Sequence, residues 1–155
     1  DLSDADKAYD ASRIEAKYAP DIRYAEILLN YAEALNEAEG PTAEVYNAVN
    51  KIRRRAQLLD LPANLTKDEM RNKIRQERRV ELAFENHRFW DVRRWKIAEI
   101  VDNKKVHKIT VNADGTYSYP VFQNRVFDKA KHYLFPIPQS EIDKNRNLVQ
   151  NPGWN

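Results

Sequence analysis

Residues 74–85 have the sequence Ile-Arg-Gln-Glu-Arg-Arg-Val-Glu-Leu-Ala-Phe-Glu, in which three glutamates recur every fourth position. At about 100° per residue, one face of a helix collects these glutamates together with three apolar residues: Met70, Ile74, Glu77, Glu81, Phe84 and Glu85. Burying unpaired carboxylates costs several kcal/mol each, so the fold has to bring cations to them. The stretch therefore predicts a helix whose buried face carries a structural arginine–glutamate network.

Arginine suits such a network because its planar fork satisfies both carboxylate oxygens. Candidate arginines lie beside the glutamates, on the edge of the preceding helix's apolar stripe, and just downstream: Arg78, Arg53, Arg88, Arg93 and Arg94. Aromatic residues at positions 89, 90 and 95 follow directly, and we expect them to pack over the ion pairs in the core, although a sugar-stacking platform is an alternative. The predicted ion-pair and aromatic network comprises Glu77, Arg78, Glu81, Glu85, Arg88, Trp90, Asp91, Arg94 and Trp95.

An enzymatic interpretation of the glutamates is a carboxylate pair for glycoside hydrolysis. Glu77 and Glu81 are spaced to approach the roughly 5.5 Å separation of a retaining enzyme. That chemistry needs one carboxyl to keep its proton, whereas surrounding arginines favour two carboxylates. We therefore predict no catalytic residue and a protein that is not an enzyme.

Composition bears on several other classes. The 155 residues carry 26 basic and 24 acidic side chains, a net charge of +2, which gives no global attraction to nucleic acid or to an anionic membrane. The basic run at residues 53–55 suits a helix C-terminus. Cysteine is absent, and His87, His107 and His132 lack ligand spacing. With three glycines and no phosphate-binding fingerprint, we expect no metal, no cofactor and no nucleic-acid partner.

The remaining pattern predicts a mainly α fold. Amphipathic helices over residues 22–38 and 42–58, separated by Gly40 and Pro41, predict a hairpin resembling one tetratricopeptide (TPR) unit. Its first helix is expected to bury one face: Tyr24, Ala25, Leu28, Tyr31, Ala32 and Leu35. A third helix over 66–86 begins with a Thr66–Glu69 capping box, and a short helix over 88–100 follows.

The last third predicts different structure. Residues 106–111 and 117–122 flank a turn at 112–115 and predict one small β-hairpin. Residues 133–138 are extended and proline-stiffened, a helical turn follows Ser140, and the C-terminal segments are long and irregular. We expect residues 1–20 to be the tail of a preceding region and 21–155 to be one domain.

The order of motifs closely resembles the C-terminal region of the RagB/SusD family. The matching segments are residues 23–36, 50–56, 74–85, 88–95, 134–143 and 150–153. Family members are several hundred residues long, so the resemblance implies that this chain is the C-terminal fragment of a larger protein.

The resemblance also implies a function. It implies an outer-membrane lipoprotein on the cell surface of a Gram-negative bacterium, tethered only through a lipid at an N-terminus outside this chain. Such proteins bind an oligosaccharide or polysaccharide, deliver it to a SusC-like TonB-dependent transporter and are not catalytic. The alternative is a TPR-like protein–protein interaction scaffold without a glycan site.

The resemblance carries over no glycan-binding residue, because the matched motifs belong mostly to the family's scaffold. The hairpin is the segment least like the family motifs. Tyr117 and Tyr119 are two residues apart, so their side chains would point to the same side of the hairpin's second strand. They are therefore candidates for contact with sugar or transporter, and ordinary hairpin packing is the alternative.

Overall fold

The computed structural model describes residues 21–154, which divide into two compact units at Glu85 and Asn86. The fold is mainly α, as the sequence predicts: the described residues form six helices and two short antiparallel sheets. No helix among residues 21–154 has the length and apolar character needed to cross a bilayer. The predicted tail at residues 1–20 lies outside the described residues, and the single domain over 21–155 stays a prediction.

The first unit is built on a helical hairpin. Helix α1 (Tyr24–Glu39) and helix α2 (Ala43–Arg55) lie close to their predicted bounds. Gly40 ends α1 with a φ of 89°, which glycine adopts without the steric cost of a Cβ, and its N–H donates to the Asn36 carbonyl. Helix α3 (Lys67–Glu81) packs on α1 as α2 does, so α1 is the central helix.

The core of this unit lies where the three helices meet. Its main cluster joins buried apolar residues of α1, α2, α3 and the loop before α3: Ala32, Val45, Ala48, Val49, Leu61, Met70 and Ile74. The predicted burial of α1 is partly wrong, because Leu29, Ala32 and Asn36 are buried while Tyr24 and Tyr31 are exposed. Because α2 and α3 both pack against α1, Leu29 lies in the core. The buried Asn36 side chain donates a hydrogen bond from its amide nitrogen to the Lys67 carbonyl.

The start of α3 is confirmed and its predicted end is wrong. Thr66 and Glu69 form the capping box: the Thr66 N–H donates to the Glu69 carboxylate at 2.8 Å, and the Glu69 N–H donates to the Thr66 hydroxyl. The helix stops at Glu81 instead of residue 86, because Phe84 and Asn86 adopt left-handed φ values of 65° and 64°. Phe84 is consequently fully exposed and not on the core face.

The second unit begins with two short helices. The helix predicted over 88–100 is interrupted: α4 (His87–Arg94) and α5 (Ala98–Val101) flank Lys96, whose φ is 54°. Helix α6 (Gln139–Lys144) lies near the C-terminus, one position before the predicted Ser140 start. A small core joins Val92, Ala98 and Phe127.

The predicted hairpin is present as a ribbon of two short antiparallel ladders. Strand β1 (Lys105–His107) pairs with β4 (Val121–Asn124), and β2 (Thr110–Val111) pairs with β3 (Tyr117–Ser118). The interruption falls at Tyr119 and Pro120, because proline has no N–H to donate to a ladder. Tyr119 therefore lies between two strands and not in a continuous strand with Tyr117.

Candidate functional site

Glu81 and Glu85 meet at the guanidinium of Arg23, which directly precedes α1. Arg23 donates to the Glu81 carboxylate at 2.5 Å and to the Glu85 carboxylate at 2.7 Å. It also donates to the main-chain carbonyl of Glu81, so a cation closes the C-terminal end of α3. The hydrogen bond with Glu85, reinforced by the one with Glu81, raises the pKa of Arg23 above its ordinary value despite the opposing effect of burial. Arg23 therefore joins the start of α1 to the end of α3.

Glu81 has a second partner in Arg55, the last residue of α2. A single Arg55 nitrogen lies 2.5 and 2.6 Å from the two carboxylate oxygens. The Glu81 side chain is 10% exposed and that of Arg55 is 61% exposed, so Arg55 contacts the buried carboxylate from the solvent side. Glu81 thus links the ends of all three helices of the first unit.

Glu77 has an arginine partner of its own. Its carboxylate accepts from Arg53 at 2.8 Å, and Arg53 also donates to the Leu59 carbonyl in the loop after α2. Arg53 is one of the arginines proposed from the sequence. Buried Arg78 donates to the Asn30 side chain of α1 at 2.6 Å. Arg53 thus joins α2 to α3 and to the loop after α2, and Arg78 joins α3 to α1.

The expected position of Glu85 is wrong in one respect, because it lies in the turn after α3 and not on the helix. The left-handed residues Phe84 and Asn86 redirect the chain there, and Glu85 still reaches Arg23. Sequence reasoning missed Arg23 and Arg55. In a helical projection Arg23 falls on the polar side of α1, away from the apolar face. Arg55 belongs to a run of three arginines, of which only Arg53 lies at the edge of the apolar stripe.

The downstream members of the predicted network lie in the second unit. Asp91 is buried on α4, and Arg94 donates to it at 2.9 Å, three residues along the same helix. The Arg94 guanidinium also lies over the Trp95 ring, 4.7 Å from its centre. Arg88 is half-buried within α4.

The aromatic residues of α4 are not core residues of the second unit. Phe89 is 43% exposed and Trp90 57% exposed, where core packing was expected. Phe89 packs edge-on against Trp90 with ring centres 5.0 Å apart and stacks with Phe135 at 5.9 Å. Arg93 covers the Phe89 ring at 3.5 Å. The result is an exposed aromatic cluster on α4 and the extended segment after residue 133.

The two candidate tyrosines lie on the ribbon and face solvent. Tyr117 is 60% exposed and pairs with Val111 across the ladder. Tyr119 is 62% exposed, and its main-chain carbonyl lies 2.6 Å from Nδ1 of His107. Neither tyrosine is buried by the rest of its unit, so both are accessible to a ligand or a partner.

The geometry of the glutamate row is that of structural ion pairing. Both Glu81 oxygens and one Glu77 oxygen are engaged by guanidinium donors, which anchor helix ends. Between residues 21 and 154 no cluster of three or more His, Cys, Asp or Glu side chains is arranged to hold a metal ion.

Comparison with known proteins places these features in context. A model of the SusD family matches residues 2–154. SusD-like protein P2 of Formosa agariphila is 38% identical over 145 residues, which cover 88% of this chain and 26% of that protein. A SusD-like protein of Bacteroides fragilis has a solved structure that matches with a TM-score of 0.77 and 38% identity, over 86% of this chain and 25% of that one.

A further solved structure bears on the fold alone. It is a SusD-like carbohydrate-binding protein of Bacteroides vulgatus, with a TM-score of 0.56, 24% identity, and coverage of 83% of this chain and 29% of that one. The chain thus spans about a quarter of the length of the relatives that it matches.

Proposed function

Because this chain belongs to the SusD family, we propose that the protein it comes from captures glycans at the cell surface. The match over residues 2–154 carries this proposal. The resemblance to the RagB/SusD family implies glycan capture. Since the chain spans about a quarter of its relatives, it would form the C-terminal part of the whole protein.

The finer proposal concerns delivery. The whole protein binds an oligosaccharide or polysaccharide and passes it to a SusC-like TonB-dependent transporter. It resides in the outer membrane of a Gram-negative bacterium, facing outwards and held by a lipid at the parent's N-terminus. It acts by binding and does not cleave the glycan. In support, Glu77 and Glu81, the candidates for a hydrolytic carboxylate pair, both accept hydrogen bonds from arginine side chains.

Within this chain, two parts would have separate roles. The ion-paired helices of the first unit would be scaffold, because their charged groups are engaged with one another. The exposed Tyr117 and Tyr119 rings would contact sugar or transporter, since aromatic faces with a polar edge suit both kinds of surface.

Affinity electrophoresis of the full-length protein against a panel of polysaccharides tests glycan capture. Retardation by at least one polysaccharide, reversed by its free oligosaccharide, is the expected result. Detergent extraction and pull-down of the tagged protein test delivery, and a TonB-dependent transporter should co-purify. Failure of both experiments would overturn the proposal.

A TPR-like scaffold without a glycan site is the second candidate, favoured by the helical hairpin and the exposed face of α1. The gene distinguishes the two candidates. A lipoprotein signal upstream of Asp1 and a neighbouring transporter gene support glycan uptake, and the lack of both supports the scaffold.

A further inference from the structure

A cavity in the second unit adjoins the exposed aromatic cluster of α4. Its volume of about 300 Å³ is at the lower end of the range for small-ligand sites. Phe89, Phe135 and Trp154 supply aromatic surface to its wall, and its polar side chains are those of Arg93 and His132. No aspartate or glutamate lines it among the described residues.

The positive charge of Arg93 is not matched by a carboxylate within residues 21–154. Its Nη1 donates to the Phe89 carbonyl at 2.9 Å, and its Nε is buried with no acceptor among those residues. The guanidinium lies over the Phe89 ring, 3.5 Å from its centre, and 5.3 Å from the centre of the buried Phe127 ring. Neighbouring Arg94, by contrast, donates to Asp91. An anion that reached Arg93 would therefore gain a charge-assisted hydrogen bond.

His132 adds a second hydrogen-bond donor to the wall of the cavity. The Asp128 main-chain N–H donates to Nδ1 of His132 at 2.8 Å. Because Nδ1 is an acceptor there, the ring carries its proton on Nε2. The indole N–H of Trp154 is already engaged by the carbonyls of Lys131 and Leu134, at 3.2 and 3.0 Å. The polar side chains of the wall thus present donors, which suit a ligand with acceptor oxygens.

The positive charge of the chain is concentrated in this unit. Residues 86–155 carry 12 basic and 7 acidic side chains, a net charge of +5, whereas residues 21–85 carry 11 and 12, a net charge of −1. Lys131 adds a cation beside the cavity, with its Nζ 4.1 Å from the centre of the Trp154 ring. The second unit consequently attracts anions, although the whole chain is nearly neutral.

We propose that this cavity binds an acidic sugar residue of the captured glycan, whose carboxylate or sulfate ester pairs with Arg93. The inference rests on the proposed function, since it takes the ligand to be a glycan. The anionic group accepts from the Arg93 guanidinium, and the Nε2–H of His132 donates to another oxygen of the sugar. The captured polymer therefore belongs to the class of uronic-acid or sulfated polysaccharides.

The aromatic rings account for a sugar instead of a simple inorganic anion. Phe89 and Phe135 are stacked, with ring centres 5.9 Å apart, and they are 43% and 54% exposed. The C–H groups on one face of a pyranose ring pack against such aromatic surface, which a small, fully hydrated anion would not use. Aromatic surface beside one unpaired cation is thus complementary to a sugar ring that carries one negative group.

Isothermal titration calorimetry of the full-length protein with matched oligosaccharides tests the proposal. Oligogalacturonate is compared with its carboxyl-reduced form, and a sulfated galactan oligosaccharide with its desulfated form, so that each pair differs only in charge. We expect at least one acidic oligosaccharide to bind about tenfold more tightly than its neutral counterpart, the scale of one charge-assisted hydrogen bond. Preference within the first pair identifies a carboxylate, and preference within the second a sulfate ester.

Substitution of Arg93 locates the preference in this cavity. Arg93→Gln should abolish it. Arg146→Gln is the matched control, because it removes the same charge from an exposed arginine outside the cavity, and it should keep the preference. Arg93→Lys retains the charge and should keep part of the preference, whereas a role in packing alone predicts equal losses in both Arg93 variants. Thermal melts report whether each variant is folded.

The outcomes separate this inference from glycan capture itself. Equal affinity of the wild type for the acidic and neutral members of both pairs would overturn it, even if an Arg93 variant failed to fold. So would a preference that survives Arg93→Gln or is lost in Arg146→Gln. Binding of neutral oligosaccharides without any preference for charge contradicts the acidic subsite and leaves glycan capture standing, whereas binding of no glycan at all contradicts both.

Discussion

Glu81→Ala is the substitution that tests the ion-paired scaffold most sharply. Glu81 accepts hydrogen bonds from Arg23 and Arg55, and its side chain is only 10% exposed. A charge-assisted hydrogen bond contributes about 1.5–3 kcal/mol, and leaving a buried cation wholly unpaired costs about 3–5 kcal/mol. The destabilisation expected for Glu81→Ala is smaller than about 3–5 kcal/mol, because neither arginine would be buried without a partner. Arg23 keeps Glu85 as a partner, and exposed Arg55 returns to water at a cost of about 0–1 kcal/mol.

The expected loss is therefore about 2–3 kcal/mol in the free energy of unfolding. Urea and thermal unfolding of the purified protein, followed by circular dichroism, measure it. Glu39→Ala is the matched control, because this exposed glutamate ends α1, where a negative charge opposes the helix dipole, so its removal should be neutral or slightly stabilising. Glu81→Gln should lose about half as much as Glu81→Ala, since it keeps the shape and some of the acceptors. A Glu81→Ala variant as stable as the Glu39→Ala control would refute the account of the scaffold.

Other substitutions test other parts of the molecule. Met70→Ala should cost about 2–5 kcal/mol because Met70 is fully buried in the main core, whereas Leu59→Ala, at an 87% exposed position, should change unfolding little. Thr66→Ala should cost about 1 kcal/mol by removing the cap of α3. The hydrogen bonds from the Thr66 backbone and then its side chain lower the pKa of Glu69. Its stabilising effect should therefore be full above about pH 4–5 and be lost as the pH falls further, so the stabilities of wild type and Glu69→Gln should converge in acid-titrated urea melts. Tyr117→Ala with Tyr119→Ala should weaken glycan binding or transporter co-purification about tenfold with unchanged melting, and Phe122→Ala, at an exposed aromatic on the same ribbon, serves as the control.

Local signals in the sequence predicted the helical part of the fold well. The Thr66–Glu69 box fixed the start of α3, and Gly40 with Pro41 fixed the end of α1, because capping is decided by residues within one turn. The β-hairpin was also predicted from its strands and turn, apart from the interruption at Pro120. The partner of Glu77 was among the proposed arginines because Arg53 lies beside the apolar stripe of α2.

Features set by distant residues were the ones that sequence reasoning missed. Arg23 precedes Glu81 by 58 positions, and only the packing of α1 on α3 brings them together. Projecting α3 onwards placed Phe84 on the core face, but two left-handed residues end the helix first. Tyr24 and Tyr31 were assigned to the core because a helical projection identifies an apolar face without naming what covers it.

The central claim is that the protein containing this chain binds a glycan without cleaving it. Isothermal titration calorimetry of the full-length protein with oligosaccharides from each polysaccharide of the panel tests that claim most directly. Chromatography of the oligosaccharide recovered from the calorimeter's sample cell tests whether the oligosaccharide is still intact. The account predicts saturable binding of at least one oligosaccharide, which is recovered unchanged. No heat of binding with any oligosaccharide of the panel, or recovery of a shortened product, would contradict it.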